Sequence, residues 1–150
     1  MSKSLIIFGS SRSDGDTMMA VKEQLGEDLG GAELIDLKEK NISYFDYEHK
    51  NEGDDFLNIA EKMVEADKII FATPVYWYCM SGVLKTFFDR FTDLVSIRKD
   101  LGRALKGKIV YVIACGAEQN APDGFEKPFI SSCKYLDMEY KECFYYCTKK

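Results

Sequence analysis

The chain has 150 residues, 46% of them hydrophobic and 30% charged, with a formal net charge of −5. That length fits one domain around one core, and the balance excludes both a disordered chain and an apolar run long enough to span a bilayer. The lysines are scattered and form no basic stripe, so nucleic acid, whose phosphates demand clustered cations, is excluded as a partner.

Four runs read as buried strands because they are short, β-branched or aromatic, and bounded by turn residues: SLIIFG (4–9), AELIDL (32–37), KIIFAT (68–73) and KIVYVIAC (108–115). A fifth, YKECFYYCT (140–148), follows the same rule less cleanly. Helical stripes alternate with them. Met18, Val21, Leu25 and Leu29 share one face, Phe56, Ile59, Ala60, Met63 and Val64 a second, and Leu84, Phe87, Phe88 and Phe91 a third, all read as core packing. Ser81 is the expected N-cap of the third helix, and Asp14 or Asp16 of the first. A further helix lies within 122–138, where Pro128 either opens or kinks it. Strand and helix alternate without repeats or linkers, which means a parallel sheet with helices on both faces, joined by right-handed crossovers. The expected fold is a flavodoxin-like three-layer α/β sandwich with a five-stranded parallel sheet in the order 2-1-3-4-5, one domain over 1–150.

The N-terminal apolar run is too brief for a secretion signal, so a cytoplasmic location without membrane attachment is expected. Five cysteines, Cys79, Cys115, Cys133, Cys143 and Cys147, form no CxxC pair and are odd in number; they read as mostly buried thiols, not a disulfide or metal framework. His49, the single histidine, lies in the polar stretch YEHKNEGDD and reads as a solvated loop residue.

In a parallel sheet the loops after the first, third and fourth strands meet on one edge, beside the crevice where the strand order reverses. The first loop, GSSRSDGDT (9–17), offers Gly9 and Gly15 for close approach, hydroxyls from Ser10, Ser11, Ser13 and Thr17, the forked cation of Arg12, and a helix N-terminus. It carries neither a Walker lysine nor GxGxxG, so a terminal monophosphate suits it better than a triphosphate or a dinucleotide. An ordinary polar β–α loop is the competing reading. The second loop, PVYWYCM (74–80), sets bulky apolar side chains where solvated residues are expected. A flat aromatic ligand accounts for them, and so does a hydrophobic dimer patch.

GSSRSDGDT followed by TPVYWYCMSGVLKTFFDR closely resembles the paired signatures of the NADPH-dependent FMN reductase family of flavodoxin-like flavoproteins. The resemblance implies an FMN-dependent NAD(P)H oxidoreductase that passes hydride from NADPH or NADH through FMN to a small acceptor such as a quinone, free flavin, nitro or azo compound. Ser10, Arg12, Asp16, Thr17 and the Met18 backbone would then hold the FMN phosphate. Pro74, Val75, Tyr76, Trp77 and Tyr78 would contact the isoalloxazine ring, with Cys115 and Gly116 near its pyrimidine end and Glu118 the nearest acid. Lys85 and Arg90 are assigned to holding their helix together, and a homodimer or higher homo-oligomer is expected. No protein acid or base is required for the hydride step, because the cofactor carries the chemistry.

Two positions depart from the family pattern. Asp16 stands where Asn is common, and a carboxylate about 5 Å from a phosphate would cost on the order of 3 kcal/mol at an effective dielectric near 20 unless it faces away as a helix cap. Tyr78 replaces a residue that is often small, which narrows the expected space over the ring. Two other functions share the fold: an electron carrier with no NAD(P)H oxidation of its own, and a flavin-free scaffold acting through its aromatic surface. Iron–sulfur flavoproteins do not fit the cysteine spacing, and no acidic cluster supports a response regulator.

Overall fold

The computed structural model describes residues 2–149. Five strands, β1 (Ser4–Phe8), β2 (Glu33–Asp36), β3 (Lys68–Pro74), β4 (Ile109–Gly116) and β5 (Glu139–Cys147), form one parallel sheet in the order β2-β1-β3-β4-β5. The helices are α1 (Asp16–Leu25), α2 (Phe56–Glu65), α3 (Gly82–Asp89), α4 (Lys99–Ala104) and α5 (Lys127–Tyr135).

Because side chains alternate across a strand, each central strand feeds two cores. Leu5, Ile7, Ile69, Phe71, Val110 and Val112 pack against α2, α3 and α5. Ile6, Phe8, Ile70, Ala72, Ile113 and Cys115 face the other way, onto Ala20 and Val21 of α1. Beyond α1 the second face is finished by aromatic side chains: Tyr111 and Phe144 stack with ring centroids 5.8 Å apart, and the Tyr146 hydroxyl bonds Gln24.

The helical stripes fall on the core as the sequence requires, with Phe56, Ile59, Ala60 and Met63 of α2 and Leu84, Phe87 and Phe88 of α3 buried. Ser81 caps α3 by accepting from the Leu84 N–H at 3.1 Å. Pro128 lies in the first turn of α5 and opens that helix, where its missing N–H leaves no bond unmade. Two expectations are corrected. The N-cap of α1 is Gly15, with no side-chain cap, so neither Asp14 nor Asp16 takes that role. His49 is not solvated: its side chain is 21% exposed and its Nδ1 lies 3.1 Å from the buried Asp93 carboxylate. The expectation of mostly buried thiols is corrected as well: Cys115 and Cys133 are buried, Cys143 is intermediate, and Cys79 and Cys147, on the β3 loop and at the end of β5, are exposed.

Candidate functional site

The loops after β1 and β3 are tied together beneath the site. Gly9 N–H donates to the Ala72 carbonyl at 2.8 Å, and the Ser81 hydroxyl donates to the Gly9 carbonyl at 2.7 Å. The Ser81 N–H in turn reaches the buried Thr73 hydroxyl at 3.0 Å. This bracket fixes the start of α3 against the end of β1, so the two loops that flank the crevice cannot drift apart independently.

Above the bracket lies a cleft of about 200 Å³ lined by residues of four segments: Ser10, Arg12, Gly15, Asp16 and Thr17 from the first loop, Pro74, Val75 and Tyr76 from the second, Cys115 and Gly116 from β4, and Thr148. Nine of the twelve residues expected at a flavin site from the sequence are thus brought together. The other three, Met18, Trp77 and Tyr78, do not line the cleft; Met18 is half-buried against the α1 core. Thr148 was not expected. Its N–H donates to the Gly116 carbonyl at 2.8 Å, a pairing set by the end of β5 and carried by no motif.

At one end the cleft is built for an anion. The first turn of α1 has no side-chain cap, and its Gly15, Asp16 and Thr17 line the cleft, so free N–H donors are available at this end. Ser10 is buried with its hydroxyl accepting from the Arg12 N–H at 3.3 Å, and Thr17 is buried beside it. The Arg12 guanidinium lies so close over Gly15 that an added Cβ there would stand 3.0 Å from its Nη2. Among the described residues no carboxylate pairs with Arg12. Ser13 points elsewhere: its hydroxyl donates to Asp36 at 2.5 Å and pins the loop to the end of β2. Asp16 is exposed and lines the cleft.

The other end is apolar and close-fitted. Val75 N–H donates to the Cys115 carbonyl at 2.7 Å, and a Cβ on Gly116 would stand 2.8 Å from the Tyr145 hydroxyl. That hydroxyl donates to the Glu118 carbonyl at 2.7 Å, which anchors the third loop, while Glu118 itself stays outside the cleft lining. Cys115 lines the cleft, and burial pushes its thiol above its ordinary pKa, with a bond to Thr17 at 3.5 Å opposing the rise.

Tyr76 and Cys79 exchange backbone hydrogen bonds of 2.9 and 3.1 Å, closing a two-residue turn over Trp77 and Tyr78. Both central residues have left-handed φ, +50° and +70°, a pattern that favours Asn-Gly and costs a larger L-residue about 1–2 kcal/mol each. Trp77 is 91% exposed and Tyr78 66%. Lys85 and Arg90 keep away from the cleft, Lys85 pairing with Asp89 and Arg90 with Asp54 and Asp93.

The chain matches the NADPH-dependent FMN reductase family over residues 2–140. It belongs to that family. A Bacillus subtilis protein, YwqN, named as an NAD(P)H-dependent FMN-containing oxidoreductase, is 36% identical over 143 residues, which cover 89% of this chain and 76% of that protein. An iron–sulfur flavoprotein of Methanocaldococcus jannaschii is 36% identical over 124 residues, 76% of this chain and 62% of that one. Among solved structures, the Trp repressor binding protein from Bacillus subtilis superposes with a TM-score of 0.78 at 26% identity, covering 99% of this chain and 86% of the other. Membership makes the chain a flavodoxin-like oxidoreductase whose cofactors are FMN and a nicotinamide dinucleotide. Among the described residues no three His, Cys, Asp or Glu side chains converge as a metal site, and no helix is long and apolar enough to cross a membrane.

Proposed function

We propose that the cleft between β1, β3 and β4 holds FMN and that the protein uses it to carry electrons from NAD(P)H to a small organic acceptor, a quinone, free flavin, nitro or azo compound. The observation that carries this reading is the division of one cleft into an anion cradle and an apolar slot. Ser10, Arg12, Asp16, Thr17 and the Met18 backbone take the phosphate end, through hydroxyls, a guanidinium and the uncapped N–H groups of α1. Pro74, Val75, Tyr76, Cys115 and Gly116 take the ring, with Trp77 and Tyr78 at its rim.

When bound, FMN supplies two-electron chemistry, accepting hydride from NAD(P)H and passing two electrons, with protons from solvent, to the acceptor. The chain's own residues bind and orient. The bracket of Gly9, Thr73 and Ser81 fixes the two walls, so the slot is formed before the ligand arrives. The Cys115 thiol, neutral because burial raises its pKa, adds no charge beside the ring. The Asp16 carboxylate sets a negative charge against the phosphate, and the N–H donors of α1 together with Arg12 offset it. The working assembly is a homodimer or larger homo-oligomer in the cytoplasm, and the exposed aromatic turn supports self-association.

The test is an absorbance spectrum of the protein mixed with FMN, followed by anaerobic NADPH and then a quinone. A flavin band that is perturbed on binding, bleached by NADPH and restored by the quinone is the expected sequence. A band identical to free FMN would set the reading aside, and bleaching absent with a bound flavin would favour an electron carrier.

A further inference from the structure

We propose that the protein carries a second ligand site, a groove at the other end of α3 from the cleft, and that it takes a small organic anion with a flat apolar body and one acidic head, such as an aromatic carboxylate or sulfonate. The groove shares no lining residue with the cleft, so the proposal does not depend on the flavin reading. Gly82 opens α3 beside the bracket under the cleft, whereas Asp89, the last residue of that helix, lines the groove; eight helical residues span about 12 Å.

The groove has two parts of different chemistry that run into each other. The first is a hollow of about 570 Å³ walled by Phe45, Tyr47, Phe88, Phe91, Val95 and Tyr135. Its rings are braced in pairs, Phe45 against Tyr47 with centroids 4.8 Å apart and Phe88 against Phe91 at 4.7 Å. Tyr47 is nevertheless 89% and Tyr135 75% exposed, so apolar ring surface is left over for a guest. Asp89 also lines the hollow and is paired with Lys85. The second part, about 330 Å³, shares Val95, Tyr135 and Leu136 with the first and adds Lys99, Arg103 and Lys106. These three cations are exposed and share the side of α4 and its following turn that lines the groove. Gly102 lets α4 close on the Arg90–Val95 segment, since an added Cβ there would meet the Leu94 carbonyl oxygen at 2.1 Å, and this sets the cations beside the aromatic hollow. Among the described residues none of the three is paired with a carboxylate. Asp137 lines the same part and offsets one of them, which leaves a local positive excess in a chain whose net charge is −5. Unpaired cations at one end of an aromatic hollow are complementary to a guest with its negative charge at one end and a flat ring at the other. The volume of the hollow falls within the range of small-molecule sites, roughly 300–1,000 Å³.

The experiment titrates the full chain, with and without saturating FMN, with two fluorescent probes: anilinonaphthalenesulfonate and its uncharged counterpart N-phenylnaphthylamine, which lacks only the sulfonate. Wild type is expected to bind the sulfonate at one site, at least about tenfold more tightly than the uncharged probe at low salt, with the gap narrowing as salt is added. The triple variant Lys99→Gln, Arg103→Gln, Lys106→Gln should close that gap by about tenfold while the uncharged probe moves by less than about twofold. Tyr135→Ala should weaken both probes alike, by at least about threefold. Both variants are expected to keep the wild-type Tm within about 2 °C, because all four side chains are exposed. Equal affinity for the two probes in wild type, a comparison that needs no variant, overturns the proposal, as does a gap that survives the triple variant. Displacement of the sulfonate by FMN places the probe in the cleft and overturns it too. A wild-type dimer that excludes both probes until dilution dissociates it assigns the groove to a subunit interface and overturns it as well. A protein that binds no FMN but keeps the gap between the probes sets aside the flavin reading and leaves this one standing.

Discussion

Residues 74–81 follow β3 and raise aromatic rings into solvent on a backbone with left-handed φ; residues 40–55 follow β2 and are held by a guanidinium that solvent does not reach. In the second region Arg90 is 0% exposed, with Nη1 2.6 Å from Asp54 Oδ2, Nε 3.1 Å from Asp93 Oδ2, and Nη1 3.0 Å from the Ser43 carbonyl. Asp54 also accepts the N–H groups of Ser43 and Phe56, and Asp93 meets His49. The Arg90 guanidinium and the Asp54 and Asp93 carboxylates are thus paired with one another, and the cluster fixes one path for the chain. The β3 loop has the reverse character: apolar surface without a partner, and backbone conformation without compensation.

Breaking the first region should produce the largest effect. Arg90→Met leaves two carboxylates buried without their cation and should destabilise the fold by about 3–5 kcal/mol in urea unfolding. The FMN affinity of the folded fraction should move by less than about twofold, since the cluster and the cleft share no residue. The same cluster sets the acid limit. Burial pushes the Asp54 carboxyl up, but the Arg90 hydrogen bond and the two N–H donors override this and hold it below its ordinary 3.8. A depressed folded-state pKa contributes stability that is present above pH 3.8 and is lost as pH falls through the folded value, so acid unfolding should begin below that pH and shift upward in Asp54→Asn.

Breaking the second region should cost less stability and more function. Gly116→Ala places a methyl 2.8 Å from the Tyr145 hydroxyl and 3.4 Å from Val75 Cβ. The expected loss is about 1–3 kcal/mol of overpacking, read in thermal unfolding, together with weaker FMN binding because Gly116 and Val75 line the slot. Asp16→Asn removes one negative charge from the anion cradle. Because Asp16 is exposed, solvent screens most of the repulsion expected from distance alone, and FMN should tighten only roughly three- to tenfold in a titration at low salt.

What the sequence revealed and what it hid divide along the same line. The strands were legible because short apolar runs such as SLIIF and KIIFAT bounded by turn residues are local signals, and the strand order followed from the regular alternation of strand and helix along the chain. Ser81 as a cap was legible for the same reason, a hydroxyl just before a helical stripe. The anion cradle was legible in composition but not in detail: Ser13 turns out to bond Asp36, which is 23 residues away. His49 looked solvated because Asp93, 44 residues on, gives no sign of reaching it. Thr148 joined the cleft through strand pairing alone. The Trp77–Tyr78 turn was hidden for a different reason, since WY lacks the Asn-Gly signature that announces such turns.

The central claim is that Arg12, Ser10 and Thr17 hold a phosphate whose flavin ring lies in the adjoining slot. Calorimetric titration of wild type and Arg12→Ala with FMN and with riboflavin, which lacks only the phosphate, tests it most directly. Wild type should bind FMN at least about 100-fold more tightly than riboflavin, and Arg12→Ala should shrink that gap by roughly tenfold or more while leaving riboflavin affinity nearly constant. Equal affinity for the two ligands in wild type, or a gap that survives the loss of Arg12 intact, would contradict the account.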